Sequence, residues 1–460
     1  MKKPLSKTLK RFYGVGDFGF TLMSNVELYC FSYFLTNVTK FDMGITALIL
    51  TLTSLVDVIL SPFYGGIIDG MKPMKWCRYR SWLLIAPPIV TFFYLFQFSN
   101  IGSGLVPVVI ICVGSILSHI IWNFSYVSNV ALIPVISSTP EDRAQLSATR
   151  GAYNNASKIV FSYVGLTFAI WMGTQINNPV LGFTLLALIM ALIYWITYFA
   201  HFKMTDGYET VAEPQKQAKA EKISAVAMLR ALFQNPSLLV LLVVDLTRWI
   251  VNFVMAATGA YFFTYVVGDI GKFSLYLLLA NIMALIGSFL SKYAANKFST
   301  RTSSIFGFFA LGGFILASRL CIDNVWGVLI LLSCAQFFLG FLYALISALY
   351  SDTVIYSQWK TGSSAAGWIM GLMNLPLKIG NMIKGAVIPM ALAAASFSAD
   401  INPAAASPAL KAAITNIFIT VPGIIVIIGG LLLLVGYRLT RDKINGYQAE
   451  IDARTKMISE

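Results

Sequence analysis

The sequence predicts an all-α polytopic membrane protein with twelve transmembrane helices in two six-helix bundles, and three features carry that reading. Of the 460 residues, 57% are hydrophobic and only 12% are charged, against about 25% charged in a soluble domain. Too little polar surface remains to cover a globule of this size in water, which excludes a soluble enzyme. The apolar residues also fall in long blocks, several of them longer than the roughly 20 residues that cross a bilayer as a helix. A single long polar stretch then divides the blocks six and six.

In the first half the blocks place spans over 13–37, 42–70, 81–100, 105–137, 151–174 and 178–202. In the second half they place spans over 236–267, 272–297, 304–322, 325–356, 365–396 and 410–437. The N-terminus MKKPLSKTLKRF is basic, but the apolar block behind it is longer than a signal-peptide core and has no small-residue cleavage site, so it is expected to stay as the first span.

Orientation follows from lysine and arginine, which short cytoplasmic loops retain. Lys2, Lys3, Lys7, Lys10 and Arg11 precede the first span, and Lys72, Lys75, Arg78 and Arg80 follow the second. The loop after the sixth span adds Lys203, Lys216, Lys219 and Lys222, and the tail adds Arg438, Arg441, Lys443, Arg454 and Lys456. The opposite loops hold almost none. Both termini are therefore expected in the cytoplasm, and the bacterial cytoplasmic membrane is the expected location. The net charge of +13 follows from this topology and requires no nucleic-acid partner.

The domain reading is an N-terminal bundle over 1–202, a cytoplasmic linker and interfacial helix over 203–235, a C-terminal bundle over 236–437 and a cytoplasmic tail over 438–460. The linker begins as MTDGYETVAEPQKQAKAEKI, and ISAVAMLRALFQN behind it has the apolar spacing of an interfacial helix. Cys30, Cys77, Cys112, Cys321 and Cys334 form no CxxC pair, so neither a disulfide framework nor a metal site is expected.

A charge deep in a span costs at least about 2.5 kcal/mol on insertion scales, so each one is a functional candidate. Glu27, Asp57 and Lys378 lie deep in the first, second and eleventh spans. Asp245 and Arg248 share one face of the seventh, either as a structural ion pair or as part of a site. His119, Trp122, Asn123 and Tyr126 share one stripe of the fourth. Arg150 and Lys158 lie two turns apart at the start of the fifth, with Lys158 near enough to the edge to snorkel.

The two halves echo one another. Pro134, Arg143 and Arg150 follow the fourth span as Asp352, Lys360 and Lys378 follow the tenth. Six plus six spans, a linker and this repeat are the hydropathy signature of a major facilitator transporter. Gly66, Asp69, Arg78 and Arg80 resemble the loop motif of that superfamily.

Longer motifs narrow the family. They are YGVGDFG (Tyr13 to Gly19) with YFLTN (Tyr33 to Asn37), DVILSP (Asp57 to Pro62) with YGGIIDG (Tyr64 to Gly70), and DRAQL (Asp142 to Leu146) with Arg150. DTVIYSQWKTG (Asp352 to Gly362), Gly367 and KIG (Lys378 to Gly380) complete the set. Over nearly the whole chain these resemble the glycoside-pentoside-hexuronide:cation symporters, of which melibiose permease is the best-known branch. The resemblance implies a cation-coupling position at Asp57 and Asn123. It implies substrate contacts at Trp122, Tyr126, Arg150 and Lys378, and a cytoplasmic gate at Arg143 and Asp352. Glu27 and Arg248 join the substrate-binding set as buried charges.

The departures bear on the ion and the substrate. Where the melibiose branch has a second carboxylate one turn after the first, this chain has Ser61, and Tyr126 replaces a fourth-span carboxylate. A sodium ion needs several hard oxygen ligands, so with one acid left the coupling ion is H+ or Na+, with the proton favoured. Phe20 and Thr21 stand where that branch has a lysine and an aspartate. Ile355 and Gln358 replace two acids of the signature segment.

The expected function is cation-coupled symport of a sugar, glycoside or hexuronide-like solute by alternating access, with no cofactor and no catalytic residues. The alternatives are transport of an amphipathic organic anion or lysolipid, or solute sensing without transport. The expected partners are the small-molecule substrate (sugar, glycoside or organic anion) and the lipid bilayer, and a monomer is expected.

Overall fold

The computed structural model describes residues 4–61, 63–137, 140–209, 235–361, 369, 372–398 and 400–459. The expected interfacial helix, and Gly362 and Gly367 of the signature segment, lie outside these residues. Among the described residues the chain is helical throughout, with no strand beyond the single bridge between Met74 and Cys77. This is the all-α major facilitator fold.

Among the described residues ten helices are long and apolar enough to cross a membrane. Val15–Tyr33 and Arg80–Gln97 fill the remaining first and third span positions. Both are less apolar, the first because Asp17, Ser24, Asn25 and Glu27 interrupt it, the third because it carries Pro87 and Pro88.

Several starts are fixed by caps. Asp42 accepts a hydrogen bond from Ile45 N at 2.9 Å to open the second span, Met43–Leu60. Asn178 accepts from Leu181 N at 3.1 Å to open the sixth, Pro179–Met204. Such caps satisfy backbone donors that a helix start leaves unmet.

Some boundaries differ from the sequence reading. The second block divides into Met43–Leu60 and a short helix, Phe63–Gly70, on either side of Pro62. The fifth span starts well before residue 151, because the polar turn PEDRAQLSATR is itself helical within Pro140–Val164. It breaks at Gly165, where an added Cβ would lie 2.8 Å from the Phe161 ring, and resumes as Leu166–Ile176. The tenth span likewise runs on to the end of the signature segment as Val325–Thr361. Hydropathy ends a span at the first charges, whereas backbone hydrogen bonding continues through them.

The chain forms two compact units. The first comprises Met1–Gln215, Ala256–Leu278 and Gly385–Ala413. Within it the hydroxyls of Thr36 and Tyr261 lie 2.6 Å apart, and Asn37 Nδ2 donates to the Tyr265 hydroxyl at 2.6 Å. Lys40 pairs with Asp400, and the rings of Tyr261 and Tyr265 meet Phe397 edge-on. Elsewhere in this unit Glu209 takes up three consecutive backbone donors. Its Oε1 accepts from Arg78 N at 2.9 Å and Tyr79 N at 3.0 Å, and its Oε2 from Arg80 N at 2.9 Å. A carboxylate there suits the positive end of the third span's helix dipole.

The second unit comprises Lys216–Met255, Leu279–Lys384 and Ile414–Glu460. Its tail helix, Arg441–Ser459, docks on the end of the tenth span. Trp359 Nε1 donates to Glu450 Oε2 at 2.7 Å, and the Trp359 and Tyr447 rings are 4.3 Å apart.

Helices in this unit approach through small residues. A Cβ on Gly340 would fall 1.9 Å from the Ala284 carbonyl oxygen, which belongs to the eighth span, Gly271–Phe298. That closeness is the small-residue contact by which membrane helices associate. Gly340→Ala is therefore expected to force the helices apart at a cost of about 1–3 kcal/mol. Thermal unfolding of the purified protein measures it, and a midpoint equal to wild type would show that the crossing yields without strain.

Candidate functional site

The candidate site residues of the first unit lie on the first, second, fourth and fifth spans. Asp57, buried near the end of Met43–Leu60, accepts a hydrogen bond from Asn123 Nδ2 at 2.9 Å. Asn123 lies on Val106–Ile136, and its Nδ2 also donates to the His119 carbonyl oxygen at 2.7 Å. The two residues that the family resemblance assigns to cation coupling are thus in direct contact.

One turn away, His119 faces the first span. Its Nε2 is 3.0 Å from Glu27 Oε2, and its Nδ1 is 2.7 Å from the Ser115 carbonyl oxygen. The Trp122 ring lies against the imidazole at 4.1 Å between centroids.

An aromatic face continues from there. Phe20 meets Trp122 edge-on at 5.5 Å and stacks on Tyr126 at 4.9 Å. Trp122 is buried, whereas Tyr126 is 38% exposed and presents its ring outward from this cluster. Thr21 donates to Asn154 Oδ1 on the fifth span. Where the melibiose branch carries two charges, this chain therefore presents an aromatic ring and a neutral hydrogen bond.

Arg150 is fully engaged. Its Nε and Nη2 donate to Asp17 Oδ2 and Oδ1 at 2.8 and 2.6 Å, the bidentate geometry that suits guanidinium to carboxylate. Asn129 Nδ2 adds a third bond to Asp17 at 3.1 Å, and Tyr13 donates to the Asn129 carbonyl oxygen at 3.1 Å. The Arg150 guanidinium also lies 5.8 Å from the Tyr126 ring centroid. Asp17 stands within YGVGDFG, yet the sequence gives no sign of its role. Its partner is 133 residues away, and only the packing of the first and fifth spans joins them.

In the second unit Arg248 Nη2 binds Asp245 Oδ1 at 2.6 Å, as the three-residue spacing allows, and Tyr350 donates to Asp245 Oδ2 at 3.4 Å. The guanidinium lies beside the rings of Trp249 and Tyr343, 4.4 and 5.3 Å from their centroids. Lys378, on Asn374–Ala394, is half-buried, as is Asp352 on the tenth span. Lys384, which hydropathy did not single out, is buried with its ammonium 5.7 Å from the Phe253 ring. The side chain of Arg143 lies outside the described residues. Among the described residues no cluster of His, Cys, Asp and Glu could hold a metal ion.

Comparison with known proteins places this geometry in context. A family profile described as MFS/sugar transport protein matches residues 12–441. The isoprimeverose transporter of Lactiplantibacillus pentosus is 25% identical over 414 residues, covering 89% of this chain and 84% of that protein. The glucuronide carrier protein homolog of Escherichia coli (strain K12) is 25% identical over 462 residues, covering 97% and 95%. Among solved structures, the D-xylose-proton symporter superposes with a TM-score of 0.65 at 13% identity, over 94% of this chain and 98% of that one. A bacterial homolog of the human lysosomal transporter Spinster gives 0.68 at 12% identity, over 96% and 99%. At such identities these structures show the fold.

With Asp17 1% and Arg150 13% exposed, the pair is buried, and removing one partner strands the other charge. Arg150→Gln is expected to destabilise the protein by about 3–5 kcal/mol. The double variant Asp17→Asn with Arg150→Gln should recover much of that loss. Equal unfolding midpoints for the single and double variants would mean that the pair is not coupled in this way.

Proposed function

The chain belongs to the MFS/sugar transport protein family, in keeping with the glycoside-pentoside-hexuronide:cation symporter motifs it carries, and from that premise we propose cation-coupled symport of a sugar or glycoside by alternating access. The observation that carries the proposal is the Asp57–Asn123 contact at 2.9 Å. It joins the two positions that the family's motifs assign to the coupling cation, inside a helical core. The relatives reported above are named as an isoprimeverose transporter and a glucuronide carrier protein homolog, which weighs against the lysolipid and sensor alternatives.

Substrate recognition is assigned to the aromatic face of Phe20, Trp122 and Tyr126, with Arg150 beside it. An aromatic ring offers a sugar's C–H face an apolar surface, while polar groups at its edge take the hydroxyls. Arg150 and Arg248 are each bound to a carboxylate at 2.6 Å, so neither is a bare cation awaiting a hexuronide. That favours an uncharged, hydroxylated glycoside. Arg143 and Asp352 keep the gating role that the family motifs imply for them.

In the cycle, cation binding at Asp57 favours the substrate-competent state. The proton is the proposed ion, because Ser61 and Tyr126 replace carboxylates that would complete a sodium site. We place the protein in the bacterial cytoplasmic membrane as a monomer, with both termini inside, from its basic loops.

Uptake into proteoliposomes tests this. A panel of α-xylosides, galactosides, β-glucuronides and lysolipids is offered under imposed pH or sodium gradients. Accumulation of a neutral glycoside driven by the pH gradient is expected. Asp57→Asn should abolish that accumulation while leaving exchange of the same glycoside. Gradient-driven uptake unaltered in Asp57→Asn would remove Asp57 from coupling, and sodium-driven uptake without proton movement would overturn the choice of ion.

A further inference from the structure

The Glu27–His119 contact supports a more specific statement about the coupling ion, and it rests on the transporter reading above. His119 Nδ1 lies 2.7 Å from the Ser115 carbonyl oxygen. A carbonyl oxygen can only accept, so Nδ1 carries a hydrogen and Nε2 is the variable nitrogen. Nε2 in turn lies 3.0 Å from Glu27 Oε2. A bare imidazole nitrogen and a carboxylate oxygen both present lone pairs, and at that separation they would repel. One further proton must therefore sit on the pair, as imidazolium with carboxylate or as imidazole with carboxylic acid. Both forms are neutral overall.

Burial sharpens the point. The His119 and Glu27 side chains are 7% and 15% exposed, and the Trp122 ring covers one face of the imidazole. Losing the proton would leave the pair with a net negative charge in this buried setting, which is costly. The titratable groups that face the pair from neighbouring elements include Asp57 on the second span and Tyr94 on the third. Asn123 connects the pair to Asp57 by donating to both Asp57 Oδ1 and the His119 backbone. That link holds the two acids in register but carries no proton itself, because it runs through an amide and a carbonyl.

We propose that Glu27 and His119 form a proton-binding site, in which a single exchangeable proton is shared between carboxylate and imidazole, and that this site acts beside Asp57 in coupling transport to protons. The binding step is balanced: one proton joins a Glu27 carboxylate and a neutral His119 and leaves the pair uncharged, and its release restores the negative charge. Sodium is disfavoured because a hard cation needs several oxygen ligands and the imidazole beside Glu27 supplies none. This gives Glu27 a proton-holding role instead of the substrate contact expected from sequence. It also explains how a chain with one carboxylate left at the family's cation positions can still couple.

The chain has two histidines, His119 and His201, which makes a direct spectroscopic test practical. Full-length protein labelled with 15N-histidine and 13C-glutamate is reconstituted in liposomes and titrated by solid-state NMR, with His119→Gln used for assignment. Nδ1 of His119 should stay protonated, while Nε2 and the Glu27 carboxyl carbon change together in one step. Replacing potassium by saturating sodium should leave that step in place, and Glu27→Gln should remove it, returning Nε2 to an ordinary neutral imidazole signal. A bare Nδ1, a His119 signal indifferent to Glu27→Gln, or displacement of the step by sodium would each overturn the site.

No substrate enters that measurement, so it can succeed or fail independently of the transport reading. The coupling claim is read in proteoliposomes with whichever panel glycoside is accumulated. Glu27→Gln should retain exchange but lose all pH-driven accumulation. Retained accumulation would leave a proton site with no part in coupling, and the second half of the proposal would fall.

Discussion

An acid carried into a low-dielectric helical core must be neutralised or protonated, because the residual cost of a lone buried charge is a large fraction of a protein's whole stability. Four acids of this chain meet that demand in three chemically different ways. Asp17 and Asp245 each take an arginine, which stays protonated at any accessible pH and binds through a planar fork. Those two pairs are permanent, and they tie the first span to the fifth and stiffen the seventh. Glu27 takes an imidazole, a partner whose charge changes with one proton. Asp57 takes the neutral amide of Asn123, which offers one donor and no charge. The two arginine pairs belong to the scaffold, and Glu27 and Asp57 are the acids for which a part in transport is proposed.

That division explains which parts of the molecule could be read from the amino-acid order. Span positions follow from apolar block length, a local property, and the family motifs carry Asp57 and Asn123 directly. Their contact is what the motif implies. The ends of spans were less legible. Charges in PEDRAQLSATR and in YSQWKT stop a hydropathy block, although the helix goes on through both. The partnerships of buried charges were legible only when short in sequence. Asp245 and Arg248 announce themselves by spacing, whereas Asp17 and Arg150 are joined by packing alone. Glu27 could be recognised as a buried charge, and His119 as a member of a polar stripe. That the two face each other depends on how the first and fourth spans are rotated, which the sequence pattern leaves open.

The proposed substrate face is limited in what it can discriminate. Phe20 stands where the melibiose branch has a lysine, and its ring fills the space between Trp122 and Tyr126. A charged donor aimed at one hydroxyl rejects sugars that lack that hydroxyl, since the donor is then left unmet in a desolvated site. A stacked ring has no such requirement, because every pyranose presents a C–H face. Arg150 remains at the edge of this face, but with both sides of its fork committed to Asp17 it is held in one orientation. It can lend a hydrogen bond to a hydroxyl at small entropic cost, and it cannot turn to grip a carboxylate without abandoning Asp17. Such a face ranks ligands by ring shape and apolar contact first and by hydroxyl pattern second. Neutral glycosides with a varied second residue fit that ranking better than free acidic sugars do.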